Sequence, residues 1–114
     1  MDYKLLFEVS VYRKDRISSD KVDKENYIST ENMLPNRGGV EIATTVASAK
    51  TFLAYKKGDI LLSNIRPYFK KIWYADKEGG CSNDVLVVKG NKTVDNKFLY
   101  YVLSDNNFFN YSTV

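Results

Sequence analysis

Short apolar runs between polar turns predict a β-rich body for most of the chain. Residues 7–11 alternate apolar and polar side chains, which is typical of a strand. Residues 60–65 are largely apolar on both faces and predict a buried strand, which Pro67 ends. Residues 70–74 predict the next strand, and the run "SNDVLVVK" at 82–89 is the strongest strand signal.

Shorter segments complete the β pattern. Further extended pieces are predicted at residues 27–29, 40–42 and 51–55. Glycines mark turns between them, so Gly38-Gly39, Gly58-Asp59 and Gly79-Gly80 are all predicted to be turns, the first within a flexible, exposed tip at residues 36–39. Neither glycine pair begins a dinucleotide-binding or phosphate-loop motif.

A helix is predicted behind the last strand. Asp95 is a candidate N-cap, and the apolar residues after it recur at helical spacing: Phe98, Leu99, Val102 and Leu103. The sum is an α+β fold, a twisted and mostly antiparallel sheet body with a C-terminal helical segment.

Length and composition favour one soluble globular domain. The chain has 114 residues, of which 44% are hydrophobic and 27% charged. It has no apolar run of about 18 residues, so we expect a cytoplasmic protein without a membrane partner. The absence of histidine excludes Ser-His-Asp and Cys-His catalysis, and Cys81 is expected to be a small packed residue rather than a nucleophile.

Positive charge is concentrated in one segment. Residues 50–77 carry seven cations and two acids, a net charge of +5, whereas the rest of the chain has a net charge of −2. This distribution favours an anionic partner such as nucleic acid. A metal-dependent nuclease with Asp76 and Glu78 as ligands is a weaker alternative, because acids at turns commonly serve solubility.

Several residues of this basic segment are candidate DNA contacts. Arg66 lies before Pro67 with Asn64 and Tyr68 two residues to either side, which suits recognition of base edges. The competing interpretation pairs Arg66 with Asp59 or Asp84. Lys70 and Lys71 point to opposite faces of one strand, so they either contact phosphates or protect a sheet edge.

The sixteen aromatic residues have two predicted roles. Most are expected to be core residues, among them Phe52, Phe69, Trp73, Phe98 and Phe108. Tyr55 and Tyr68, close to the cations, are candidates for phosphate contacts.

The order of motifs resembles the target recognition domain of type I restriction-modification specificity subunits. The matching pieces are "YISTENM", "YKKGDILLSNIRPYFKKIWYAD", "CSNDVLVVKG" and "NKFLYYVLSDNNFF", spread over residues 20–111. The distinctive core is G-D-I-L-x-S-x-I-R-P. Members of this family have a further strand region and a long spacer helix after this point, so residues 1–114 are expected to be a single, incomplete recognition domain, without the spacer helix or second recognition domain.

The resemblance implies a non-catalytic module that recognises double-stranded DNA. It implies modification and restriction subunits as partners, and those subunits, not this chain, would use S-adenosylmethionine, ATP and Mg²⁺. It also implies that Gly58, Asp59 and Pro67 are architectural, and that variable loops such as the one with Asn36 and Arg37 carry specificity.

Two functional hypotheses follow. In the first, the chain binds DNA through phosphate contacts and base-edge contacts, with the candidates Asn36, Arg37, Lys57, Asn64, Arg66, Tyr68, Lys70, Lys71 and Asn83. In the second, it is a protein-interaction module whose basic rim binds an acidic partner, with exposed aromatic residues as anchors.

Overall fold

The structure, a computed structural model, describes residues 10–63, 71–90 and 95–104. Within these ranges it has eight strands, one α-helix and two short 3-10 turns. The strands are β1 (Ser10–Tyr12), β2 (Arg16–Ser18), β3 (Tyr27–Ile28), β4 (Thr51–Tyr55), β5 (Ile60–Ser63), β6 (Ile72–Tyr74), β7 (Gly79–Cys81) and β8 (Val85–Gly90). The helix is α1 (Asn96–Leu103), and the 3-10 turns are Ser19–Lys21 and Thr30–Asn32.

The strands form two four-stranded sheets. The first sheet has the order β1-β8-β5-β6, and every neighbouring pair is antiparallel. The second has the order β2-β4-β7-β3 and is antiparallel except for β3, which lies parallel to β7. With α1 after the last strand, this arrangement confirms the α+β fold and its mostly antiparallel body.

Strand β5 is buried on both faces, as its apolar run predicts. Ile60 and Leu62 pack in one cluster with Leu99 and Leu103 of α1, whereas Leu61 packs toward the second sheet. Alternate side chains of a strand point to opposite faces, so a strand between two layers is apolar on both faces, as at Ile60, Leu61 and Leu62. Each fully buried aliphatic side chain here contributes about 1.5–3 kcal/mol.

The helix begins where the sequence predicts. The Asp95 side chain accepts a hydrogen bond from the Lys97 backbone N–H and caps the first turn. Leu99 and Leu103 are buried against the first sheet, but Phe98, predicted to be a core residue, is 53% exposed. Successive helical residues are rotated by about 100°, so the face that buries Leu99 and Leu103 turns Phe98 away from the sheet.

The other predicted core aromatics have mixed outcomes. Phe52 and Trp73 are buried, as expected. Phe52, a residue of β4, packs with Ala43 and Val46. Phe69 and Phe108 lie outside the described residues.

Gly79 and Gly80 lie in a strand, so the predicted turn is wrong. They belong to β7, which is paired on both sides, and both are buried. A Cβ on Gly79 would overlap the backbone oxygen of Asn26, and one on Gly80 would lie 2.9 Å from side-chain atoms of Phe52 and Val22. The pair is therefore required by close approach of neighbouring chain segments, not by a turn.

The predicted strand at residues 40–42 is also absent. Val40 makes a single bridge to Met33, closing a tight hairpin around residues 35–38. The extended segment predicted at 27–29 is present as β3. In the part of the chain that the structure describes, no helix combines the length and apolar character needed to cross a membrane.

Candidate nucleic-acid interface

The Gly-Asp turn of the motif core is structural. Gly58 has a φ of +90°, a conformation that glycine adopts without a steric penalty. Asp59 is 2% exposed and accepts hydrogen bonds from Arg13 Nε at 2.6 Å and Arg13 Nη2 at 3.0 Å. Its Oδ2 atom also accepts from the Lys56 backbone N–H at 2.9 Å. The carboxylate is thus committed within the chain, and its hydrogen bond to Arg13 raises the pKa of that guanidinium.

The β4–β5 turn is also hydrogen-bonded to α1. Asn96 Nδ2 donates to the Gly58 carbonyl oxygen at 2.9 Å, and Asn96 Oδ1 accepts from the Gly90 backbone N–H at 2.6 Å. Through Arg13, the residue after β1, Asp59 connects β1 to the β4–β5 turn. Through Asn96, Gly58 connects the same turn to α1. These contacts support the expectation that Gly58 and Asp59 are architectural, while Pro67 lies outside the described residues. Asp59 is engaged by Arg13, and the alternative pairing with Arg66 involves a residue outside the described part of the chain.

A second set of contacts lies at the opposite end of β5. The Ser63 backbone N–H donates to the Lys71 carbonyl oxygen at 3.0 Å and brings the residues flanking 64–70 together. The Lys71 ammonium donates to the Thr30 carbonyl oxygen at 2.9 Å, and the Thr30 and Ser63 hydroxyls are 2.9 Å apart. Four of the predicted contacts, Asn64, Arg66, Tyr68 and Lys70, lie outside the described residues.

The "YISTENM" motif forms the 3-10 turn whose Thr30 carbonyl oxygen accepts the hydrogen bond from Lys71. Ser29 and Asn32 form a reciprocal capping box around the 3-10 turn Thr30–Asn32. Asn32 is buried, and its Nδ2 atom donates to the carbonyl oxygens of Tyr27 at 2.8 Å and Glu41 at 2.9 Å. Thr30 was not predicted as a neighbour of Lys71, although the Ser-x-x-Asn spacing is a local signal for this turn.

Asn83 lies at the same end of the first sheet as Lys71. It is exposed in the turn between β7 and β8, two residues before Val85, which pairs with Ser63. Its neighbour Ser82 donates a side-chain hydrogen bond to Asp84. Lys71 and Asn83 thus flank one edge of the molecule together with the ends of β5 and β6.

Lys57 is placed elsewhere. It is exposed in the β4–β5 turn before Ile60, and Ile60 pairs with Tyr74 and Val88 at the other end of the sheet. The four residues of β5 span about 13 Å. The structure therefore does not bring Lys57 together with Lys71 and Asn83.

Asn36 and Arg37 form the tip of the Met33–Val40 hairpin. Both are exposed and have positive φ angles, +55° and +60°, the pattern of a type I′ turn. Arg37 Nη1 donates to the carbonyl oxygen of Ser104 at 2.8 Å, at the C-terminal end of α1. Part of the Arg37 guanidinium is therefore engaged with the helix.

Tyr55 is not an exposed phosphate contact. It is 1% exposed, its hydroxyl donates to the Asn26 carbonyl oxygen at 2.8 Å, and its ring meets the Trp73 ring edge-on with centroids 5.6 Å apart. Burial raises the pKa of its hydroxyl. A tyrosine next to two lysines in the sequence is a core residue here because β4 turns it toward the first sheet.

The structure shows where the residues of the metal-dependent nuclease hypothesis lie. Asp76 and Glu78, the ligands of the nuclease hypothesis, are both exposed on the β6–β7 turn. Among residues 10–63, 71–90 and 95–104, no group of three or more Cys, Asp or Glu side chains is arranged to hold a metal ion.

Cys81 is buried in β7 near the carbonyl oxygen of Leu53, and burial raises the pKa of its thiol to about 12.

We expect the native Cys81 thiol to resist alkylation. At pH 8 a thiol with a pKa of about 12 is almost entirely protonated, so iodoacetamide should react about a thousandfold more slowly than with a free cysteine of pKa about 8.5. Mass spectrometry of native and urea-unfolded protein measures the difference. Equal labelling rates in both states would contradict the placement of Cys81 in the core.

Comparison with known proteins gives a match among solved structures. No family model and no curated protein matches the sequence. Among solved structures, a chain from a study of complex assembly and conformational transition of the type I R-M system matches with a TM-score of 0.50 and 13% sequence identity. The match covers 90% of this chain. The two chains share a fold.

The match extends over only part of the type I R-M chain. This protein spans 28% of that chain's length. At 13% identity the similarity concerns the backbone arrangement, so the contact residues have to be argued from this protein's own surface.

Proposed function

We propose that this protein is a DNA target recognition domain of a type I restriction-modification specificity subunit. The observation that carries the proposal is the shared fold over 90% of the chain with a type I R-M system chain. The G-D-I-L-x-S-x-I-R-P core and the motifs around it support it independently, because they come from the sequence alone. The domain would be non-catalytic and would direct adenine methylation and restriction by partner subunits.

Recognition would take place at the edge flanked by Lys71 and Asn83. Residues 64–70 are covalently attached there, and they include an arginine, an asparagine, a tyrosine and a lysine. Arginine pairs bidentately with guanine and asparagine with adenine in the major groove, so Asn64, Arg66 and Asn83 are the proposed base contacts. Asn36 and Arg37 are further candidates at the hairpin tip.

Lys71 would serve as a positioned phosphate contact, with Lys70 and Tyr68 beside it in the sequence. Its ammonium has three N–H groups and, within the described residues, donates one hydrogen bond, to Thr30, which leaves two donors for a phosphate. Phosphate contacts of this kind fix orientation on the duplex without discriminating between sequences. No cofactor is proposed for this chain; S-adenosylmethionine, ATP and Mg²⁺ would be bound by the modification and restriction subunits.

Selection from a randomised duplex pool tests this function. The purified chain should enrich a defined short sequence, and Arg66→Ala should lose about 1–3 kcal/mol of discrimination at one base pair while retaining binding to unrelated duplex. Lys24→Ala, which removes an exposed cation from the turn before β3, is the control and should keep the selected sequence.

Two results would count against these assignments. An Arg66→Ala variant that discriminates as before but melts at a lower temperature would make Arg66 a structural residue. Failure of the wild-type chain to enrich any sequence would remove the DNA-recognition proposal itself.

One observation favours the protein-interaction alternative. Phe98 and Tyr101, three residues apart on α1, are 53% and 61% exposed. Exposed aromatic side chains commonly anchor a protein partner. Titration with duplex DNA and with polyglutamate at several salt concentrations separates the two: we expect tighter binding to DNA, and preferential binding to polyglutamate would favour the alternative.

A further inference from the structure

A cavity of about 310 Å³ lies between β2, the 3-10 turn that follows it and the β4–β5 turn. Its lining includes three cations, Arg16, Lys21 and Lys56. None of them is among the predicted DNA contacts, and the cavity lies near the β4–β5 turn, at the other end of β5 from Lys71 and Asn83. It is therefore distinct from the proposed recognition edge.

The three cations come from three separate segments that the second sheet brings together. Arg16 lies in β2, Lys21 ends the 3-10 turn after β2, and Lys56 follows the last residue of β4. Pairing of Arg16 with Leu53 and of Ser18 with Thr51 sets β2 beside β4 and so brings the cations to one cavity. Such convergence depends on strand register, not on a run of lysines in the sequence.

Arg16 is held in position by Thr51. Its Nε atom donates to Thr51 Oγ1 at 3.3 Å, and its Nη2 atom donates to the Thr51 carbonyl oxygen at 3.1 Å and to Oγ1 at 3.2 Å. Within the described part of the chain, Arg16 Nη1 and the ammonium groups of Lys21 and Lys56 have no hydrogen-bond partner. A fixed guanidinium with unused donors loses less conformational entropy when it binds an anion.

The acids in the lining offset this positive charge only in part. Asp15 and Glu78 are present, but the Asp15 carboxylate is paired with Arg13 Nη1 at 2.9 Å. Arg13 in turn is shared with Asp59. The pair Arg13–Asp59 is already neutral, so Asp15 keeps its charge, and the cavity wall has three cations against two acids, a net charge of +1.

We propose that this cavity binds a phosphate group. An oxyanion with several acceptor atoms matches the N–H donors of an arginine and two lysines that line one cavity. Two sources share this chemistry: a phosphodiester of DNA, and a free phosphate compound. This proposal rests on the relative positions of β2 and β4, so it does not depend on the proposed recognition function.

Titration with inorganic phosphate tests the site. In ¹⁵N-labelled protein at constant ionic strength, phosphate should produce saturable shifts of the backbone amides of Arg16, Lys21 and Lys56. Lys56→Gln should weaken binding about fivefold, as expected for loss of one partly exposed charge interaction. Lys56 makes no side-chain hydrogen bond within the described residues, so this variant should fold even if Arg16→Gln, which loses its contacts to Thr51, is destabilised.

Lys24→Gln is the matched control, since Lys24 is exposed but does not line the cavity. It should leave phosphate affinity unchanged. Shifts that do not saturate, or an equal loss of affinity in Lys24→Gln and Lys56→Gln, would overturn the proposal by showing only a general response to an anion.

Duplex DNA as a second ligand identifies the source of the phosphate. If DNA displaces phosphate and Lys56→Gln reduces the magnitude of the slope of log affinity against log salt by about 1, the occupant is a DNA phosphodiester. If DNA binds while phosphate stays bound, the site serves a free phosphate compound. If DNA does not bind at all, the proposed function fails, whereas the phosphate titration still decides the site.

Discussion

Replacing Gly79 with alanine is expected to lower the free energy of unfolding by about 3 kcal/mol. The added Cβ would overlap the Asn26 backbone oxygen and lie 2.7 Å from the Asn26 Cβ. Neither atom belongs to the end of a flexible side chain, so β7 or the segment before β3 would have to shift. Overpacking of this kind typically costs about 1–3 kcal/mol, and a clash with backbone places Gly79 at the upper end. Urea denaturation followed by circular dichroism measures the change.

Gly39→Ala is the matched control for this prediction. Gly39 has a φ of +87° and nothing within 4 Å of the position of an added Cβ, so its substitution tests backbone strain without a clash. It should cost about 1–2 kcal/mol. If Gly79→Ala is no less stable than Gly39→Ala, Asn26 does not pack on β7 as the structure describes.

The second large effect is expected for Arg13→Met. This change would leave the Asp59 carboxylate, 2% exposed, without its bidentate partner. Breaking a buried ion pair at one side costs about 3–5 kcal/mol, and because the Arg13 side chain is itself 13% exposed we expect the lower end, about 3 kcal/mol. The midpoint of urea denaturation should fall, with the m-value unchanged.

Two further variants test whether the loss of stability comes from breaking the Arg13–Asp59 ion pair or from other effects of replacing Arg13. Asp15→Asn removes the other, exposed partner of Arg13 and should cost less than about 1 kcal/mol. The double variant Arg13→Met/Asp59→Asn should recover part of the loss, because the unpaired buried charge is no longer present. Additive losses in the double variant would show that Arg13 and Asp59 are not coupled.

Local patterns predicted the elements whose signals lie within a few residues. The apolar runs of β5 and β8 were sufficient because they show directly which segments are buried strands. Asp95 was recognisable as an N-cap because the capping hydrogen bond reaches only to Lys97. The fold class followed from these elements in order.

Elements set by distant neighbours could not be predicted in this way. Gly79 and Gly80 have the composition of a turn, and only the approach of Asn26, more than fifty residues earlier in the chain, makes them part of a central strand. Phe98 fits a helical apolar stripe, but contact with the first sheet selects Leu99 and Leu103 for burial. Tyr55 has two lysines after it and is nevertheless a core residue.

For the candidate site, too, some features could be predicted from the sequence and others only from the tertiary structure. The sequence alone supplied the motif order, the basic segment and the residue types suited to base contacts, because these are properties of residue identity and spacing. Only the tertiary structure placed Lys71 against Thr30, separated Lys57 from Asn83, and gathered Arg16 and Lys21 beside Lys56. Charge composition is additive along a chain, whereas the position of each charge depends on strand register between residues far apart in sequence.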